Sequence, residues 1–346
     1  MTNATDPAFN FYGYTNFAVY ASNALFTVGF GGCFFLTACT NVTIAGATVR
    51  SQNYAFTQGR VAAIGTNNGT LFCDWQISSG YPTNFCVGYD GNPQVWLLNA
   101  VSATNSIINL MAGDMFINTN NALYVGNNTW QLNFLGEDSF AFQTNDWLVT
   151  RSSSVSQQQS AYYFGFCTNC TLLNCTSQCG GIDTIFEWYS ISDQIRGCQV
   201  EPSPVPPPGG TELPLVANVG SIQVTSDFGG PVIENFTATN VMLDDGINIG
   251  GSYQTVTAVS GYNVTLSLQT LFQYGGEVGL AGFAVGQPVR ISDTNGFFAQ
   301  ANCTGIQNLP DDQVITLDQK LAIPIGALAS NPDANSSGYK IINCQL

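Results

Sequence analysis

Two adjacent carboxylates, Asp244 and Asp245, close the β-rich apolar stretch 231–243, and by type they are the residues of this chain best suited to cleaving a glycosidic bond. Such cleavage needs two carboxyl groups at a defined separation across the substrate, one as acid and one as base or nucleophile. Adjacent residues of an extended strand point to opposite faces, so a neighbouring strand would supply a further acid. Asp227, Glu187 and Glu234 are the nearest candidates by sequence. The alternative for the pair is a turn with capping carboxylates. Histidine is absent from the whole chain, which leaves serine, cysteine and lysine nucleophiles without an imidazole base. Cys167, Cys170, Cys175 and Cys179 have the close spacing of metal ligands, but with no histidine available disulfides are the better reading, and no metal or cofactor is expected. Cys33 with Cys39 and Cys73 with Cys86 are candidate local bridges. Cys175 and Cys198 sit at equivalent points of a repeat and either bridge or stack. With Cys303 and Cys344 the cysteines number eleven, so at least one is free or pairs between chains. Asp311 and Asp312 read as solvated loop acids, with metal binding the alternative. Calcium-assisted β-elimination is disfavoured, because Arg151 and Arg196 are the only bases of the central segment and neither has an acidic cluster beside it.

Lys and Arg total 7 against 22 acids, a net charge of −15, which argues against nucleic acid and anionic membranes as partners. Hydrophobic residues make up 45% and charged ones 8% of the 346 residues, the profile of a chain that buries a core. Ten Asn-x-Ser/Thr sequons begin at Asn3, Asn41, Asn68, Asn127, Asn169, Asn174, Asn235, Asn263, Asn302 and Asn335. Together with the cysteines they point to the secretory route and an extracellular or cell-surface location. An Asn- and Thr-rich β-chain also generates such triplets by chance, and Asn174 and Asn235 fall where stacked coils would bury an asparagine ladder. The first six residues show no basic or apolar leader pattern, so a secretory leader has been removed or the chain is partial. Residues 7–49 carry no charge, yet Ser22, Asn23, Thr27 and an apolar rhythm near two favour a buried β-segment over a membrane span at 17–39.

The elements that must position these groups are strands. No window carries a capped 3.6 period, and Gly, Asn, Thr and Ser punctuate the chain every few residues. The segment CTNVTIAGAT (39–48) matches CTNCTLLNCT (167–176) in frame. A shorter core recurs at 195–199, 233–237 and 341–345, as an aliphatic, a variable residue, Gly or Asn, then a small or aromatic residue. Each unit would bury a face on the next that it cannot bury alone, as in a solenoid. Residues 57–145 and 252–334 have a different texture, short strands between Gly, Asn and Asp turns, which suits antiparallel barrels or sandwiches. The proline-rich stretch 201–214 reads as a surface loop between coils. Of the aromatics, Trp75, Trp96, Trp130, Trp147 and Trp188 are candidates to stack on sugars, and most are expected in the core.

The run Asp244-Asp245-Gly246-Ile247-Asn248, with β-branched Ile249 after it, resembles the right-handed parallel β-helix (pectin-lyase-like) superfamily, and within it the bacterial α-1,3-galactosidase group. That group's pattern continues with His and Gly, and Gly250 stands at the His position. Its Asp-Gly-x-His element one coil upstream aligns with Gly220-Ser221-Ile222-Gln223, where acid and imidazole are both replaced. The resemblance spans most of the chain and implies an all-β fold, a right-handed parallel β-helix with two inserted antiparallel β-barrel or sandwich modules. The expected divisions are 1–56 first coils, 57–145 first module, 146–251 central coils, 252–334 second module and 335–346 last coil. The expected function is a secreted, N-glycosylated structural or assembly glycoprotein on a glycosidase-derived scaffold, stacking through uncapped ends. Its partners would be copies of itself or other extracellular glycoproteins, with polysaccharide the alternative. A glycoside hydrolase on galactose-containing polysaccharide, using Asp244 and Asp245, and a carbohydrate-binding protein without turnover are the alternatives.

Overall fold

The computed structural model describes residues 6–29, 32–54, 56–83, 95–101, 115–118, 121–134, 142–151, 160–179, 183–217, 220–240, 246–251, 253–267, 283–310, 312–334 and 336–346, with backbone alone at 95–99, 115–118 and 151. Asp244, Asp245, Asp311, Cys86, Asn3 and Asn335 lie outside the described residues. The fold is all-β, with no α-helix among the described residues.

Three parallel sheets dominate. The first runs Phe9–Tyr12, Phe34–Thr37, Tyr162–Gly165, Asp183–Trp188, Gly220–Thr225, Ile247–Gly250. The second runs Thr15–Tyr20, Thr40–Ala45, Thr171–Leu173, Gln194–Arg196, Val232–Glu234, Lys340–Ile342. The third runs Leu25–Val28, Thr48–Ser51, Thr176–Gln178, Gln199–Glu201, Thr237–Ala238. The chain visits the first, second and third sheet in turn and then returns, so each circuit lies parallel on the one before, an arrangement compatible with a parallel β-helix. The short repeats of the sequence fall in register: Leu172 pairs with Ile44 and Ile195, Ile195 with Ile233, and Ile233 with Ile341.

The Gly or Asn at the repeat's third position turns the chain. Gly46, Asn174, Gly197, Asn235 and Asn343 all have φ between 51° and 74°, the left-handed region that Gly and Asn enter at least cost. The next residue then points inward, stacking Ala47, Cys175, Cys198 and Phe236 in the interior beside the aliphatic ladder. Asn174 and Asn235 are exposed at this corner, not buried in a ladder. The eight described sequon asparagines are all exposed.

Two antiparallel units interrupt the coils. One is a seven-stranded sheet ordered Met115–Asn118, Val95–Val101, Trp147–Arg151, Phe56–Asn67, Thr70–Ile77, Thr129–Phe134, Ala122–Gly126. Trp147–Arg151, assigned from sequence to the central coils, pairs instead with Phe56–Asn67 and Val95–Val101. The other is a closed barrel of Tyr253–Ser260, Asn263–Ser267, Asp312–Leu317, Phe298–Asn308, Pro288–Ser292 and Leu328–Ser330.

Two expectations are corrected and a third is extended. The proline-rich stretch is a loop between coils with Val205 and Leu213 exposed, and it also clamps the seven-stranded sheet to the coils. Tyr54 and Tyr81 donate their hydroxyls to the Val205 and Glu212 carbonyls, and buried Gln58 donates to Leu213 O and accepts from Leu215 N. The uncharged segment 7–49 is β, yet its first coil is largely exposed, with Tyr12 at 75% and Tyr20 at 78%, because its strands have a partner on one side only. No helix among the described residues is long and apolar enough to cross a membrane. Finally, Cys33 and Cys39 flank the strand Phe34–Thr37. At about 3.3 Å per residue that strand holds them beyond the ~7 Å limit for a bridge, and the ten described cysteines are free thiols.

Candidate functional site

Strand alternation gives the first sheet an inner and an outer face. Phe34, Leu36, Tyr162, Phe164, Ile185, Ile222 and Val224 are buried in the coil core. The residues between them form two outer rows. One runs Asn10, Phe35, Tyr163, Phe186, Gln223, Asn248 in register across all six strands. The other runs Tyr12, Thr37, Gly165, Trp188, Thr225, Gly250. The Phe35 and Tyr163 rings stack at 5.0 Å and those of Tyr163 and Phe186 at 5.8 Å with planes 4° apart. Gly165 makes room, since a Cβ there would meet the Tyr163 hydroxyl at 2.7 Å. At the edge of this face Trp188 packs on Tyr189 at 4.8 Å and on exposed Phe166 at 5.9 Å. Beyond the aromatics Gln223 donates to the Thr225 hydroxyl at 2.9 Å. A Cβ on Gly250 would meet nothing within 4 Å, so the position held by histidine in the galactosidase pattern is open.

The two outer rows contain no Asp, Glu, Lys or Arg. Half-buried rings beside side-chain amides and hydroxyls suit a neutral ligand with apolar faces and hydroxyl edges. They supply no acid or base.

The sequence-named acids divide around this sheet. Glu234 lies on the second sheet, with Arg196 3.4 Å away. Glu187 and Asp227 turn inward and are fully buried. Glu187 shares its strand with Phe186 and Trp188 but occupies the inner ladder between Phe164 and Val224. Asp193, which the sequence reading missed, is buried with them. The repeat frame held the signal: Gln194 pairs with Thr171, so Asp193 stands where the coil before has Cys170. Asp193 accepts the Cys170 N–H at 2.6 Å, and Asp227 accepts the Ser190 N–H at 2.8 Å. Burial, reinforced by the Asp227 and Asp193 charges, pushes the Glu187 carboxyl well above its usual range. Burial likewise raises Asp193 to about 8 and Asp227 to about 6. The Cys167 thiol donates to Cys170 and lowers it to about 7.

Of the tryptophans, Trp75 and Trp147 are buried in the core of the seven-stranded sheet, Trp130 packs against that core, and Trp188 alone joins the outer face; the Trp96 side chain is not among the described residues. Among the described residues no group of three or more His, Cys, Asp or Glu is arranged to hold a metal ion. No family model matches the chain, and no curated protein matches it.

Proposed function

We propose that the chain is an extracellular, N-glycosylated structural protein, built as a right-handed parallel β-helix, that holds a neutral polysaccharide along the outer face of its first sheet without cleaving it. The observation that carries this reading is the pair of uncharged rows crossing six strands, one of them with the rings of Phe35, Tyr163 and Phe186 at its centre and the amides of Asn10, Gln223 and Asn248 towards its ends. The strands repeat every ~4.8 Å, so the rows offer successive contacts to an extended chain lying across them. The exposed sequons and the likeness to the galactosidase scaffold support the location and the ancestry.

Affinity electrophoresis and calorimetry against neutral polysaccharides, galactans first, test the reading. The natural chain retards at least one of them and releases no reducing ends. Tyr163→Ala with Phe186→Ala weakens that binding at least about tenfold, ~1.4 kcal/mol. Reducing-end release that is lost in an Asp244→Asn, Asp245→Asn double variant would replace this reading by the hydrolase. Absence of binding to every polysaccharide would sink it.

Assembly into a filament or layer is a second reading, favoured by Tyr12, Tyr14, Tyr20 and Leu25 exposed on the outer edge of the first coil. Sedimentation at rising concentration checks it: one species throughout excludes it.

A further inference from the structure

The interior carboxyls take no part in the proposed ligand contact, and their surroundings are unusual. Glu187, Asp193 and Asp227 are at most 2% exposed. Both Glu187 oxygens, Asp193 Oδ2 and Asp227 Oδ2 receive no backbone N–H and no cation among the described residues, and the Glu187 carboxyl donates to that of Asp227. Buried carboxylates ordinarily pair with a cation or several donors. Among the described side chains no cation reaches them. Arg50 bonds Gln178, Arg60 lies over Trp147, Arg196 faces Glu234, Arg290 stands near Phe298, and Lys320 and Lys340 are exposed. The titratable groups that do face the cluster are thiols, Cys170 acting on Glu187 and Asp193, with Cys167 acting on Cys170 beside them. The flanking strands contribute Phe164, Ile222 and Val224, and Tyr162, whose hydroxyl goes to the Ala47 and Thr176 carbonyls. Ser336 accepts the Asp227 N–H and donates to Gly250 O, tying the chain's return from the barrel to the same spot.

We infer that Glu187, Asp193 and Asp227 form an interior proton store, held uncharged in the folded chain, so that the coils tighten in acid and loosen as these carboxyls ionise. Ionising any of them strands a charge among apolar side chains and thiols with no counter-ion among the described residues. A carboxyl that keeps its proton in the fold but loses it on unfolding makes stability fall as pH rises. The contribution is fully present below the unfolded values near 4 and is lost as pH climbs through the raised ones, about 6 for Asp227 and about 8 for Asp193.

Thermal melts of the full chain between pH 4 and 9 decide it. The natural chain melts progressively lower from pH 4 to pH 8. Glu187→Gln flattens that slope and raises the midpoint at pH 8 by about 3 °C or more. Exposed Glu212→Gln, with the same change in net charge, keeps the natural slope. A natural midpoint that rises with pH, or a Glu187→Gln slope equal to the natural one, overturns the inference. Should the variant not fold, proton exchange on unfolding the natural chain at pH 6, measured by calorimetry in buffers of different ionisation enthalpy, settles it. Release is expected, and uptake or no exchange refutes it.

Discussion

A single residue type explains two features that the sequence leaves entangled. Six of the eight described sequon asparagines, Asn41, Asn68, Asn127, Asn169, Asn174 and Asn235, have positive φ. The left-handed corner asks for Gly, which has no Cβ to clash, or Asn, whose short polar side chain bonds the backbone locally, and an Asn-x-Thr triplet follows whenever the next strand begins with threonine. The sequons therefore report the turns directly and glycosylation only through their exposure. The steric cost is measurable. Asn174→Ala should lose about 1–2 kcal/mol in denaturant titration, whereas Asn174→Gly should stay within a few tenths. Gly197→Ala should lose more than Asn174→Ala, because its φ is +62° and a Cβ there would collide with Asn174 Oδ1. Equal losses for Ala and Gly at position 174 would mean that the side chain, not the dihedral, does the stabilising.

At the scale of the element, the repeat was legible because the register repeats it. The recurring aliphatic of 39–48, 167–176, 195–199, 233–237 and 341–345 becomes the ladder Ile44, Leu172, Ile195, Ile233, Ile341. Truncations along it should follow burial. Leu172→Ala and Ile195→Ala should cost about 2–5 kcal/mol each, and Ile341→Ala, 47% exposed, under about 1 kcal/mol. What the sequence did not disclose was parity. In Asp183–Trp188 hydrophobic and charged side chains alternate in a way that fits either face, and only pairing with Tyr162–Gly165 and Gly220–Thr225 puts Glu187 inside with Phe186 and Trp188 outside. Proline content is likewise silent on packing. It marks a segment that cannot be a central strand, but says nothing of what the segment packs on. Here its carbonyls serve Tyr54, Tyr81 and Gln58. Gln58→Ala should therefore cost about 1–2 kcal/mol, since the half-buried Leu215 N–H and the Leu213 carbonyl both lose their partner.

In the whole molecule three apolar clusters divide the stability, and they are coupled unequally. The core of the seven-stranded sheet includes Cys179 and Val216 from the coil segment, so that sheet and the coils share packing as well as the Gln58 clamp. The barrel core, from Val256 to Ala329, contains no coil residue among the described residues. The chain leaves the coils after Gly250 and returns at Ser336, so the barrel hangs on two strands of connection and the Ser336 bonds. Cooperative units follow shared packing, and a unit with its own core can melt alone. Heating should give two transitions, one for the barrel and one for coils and seven-stranded sheet together. Leu266→Ala should move only the first, and Leu172→Ala only the second. Gln58→Ala should move the second or split it, because it cuts the clamp inside that unit. A single transition that all three variants shift alike would show that the Ser336 junction alone couples the barrel to the coils, making the insertion a structural part of the solenoid and not a passenger on it.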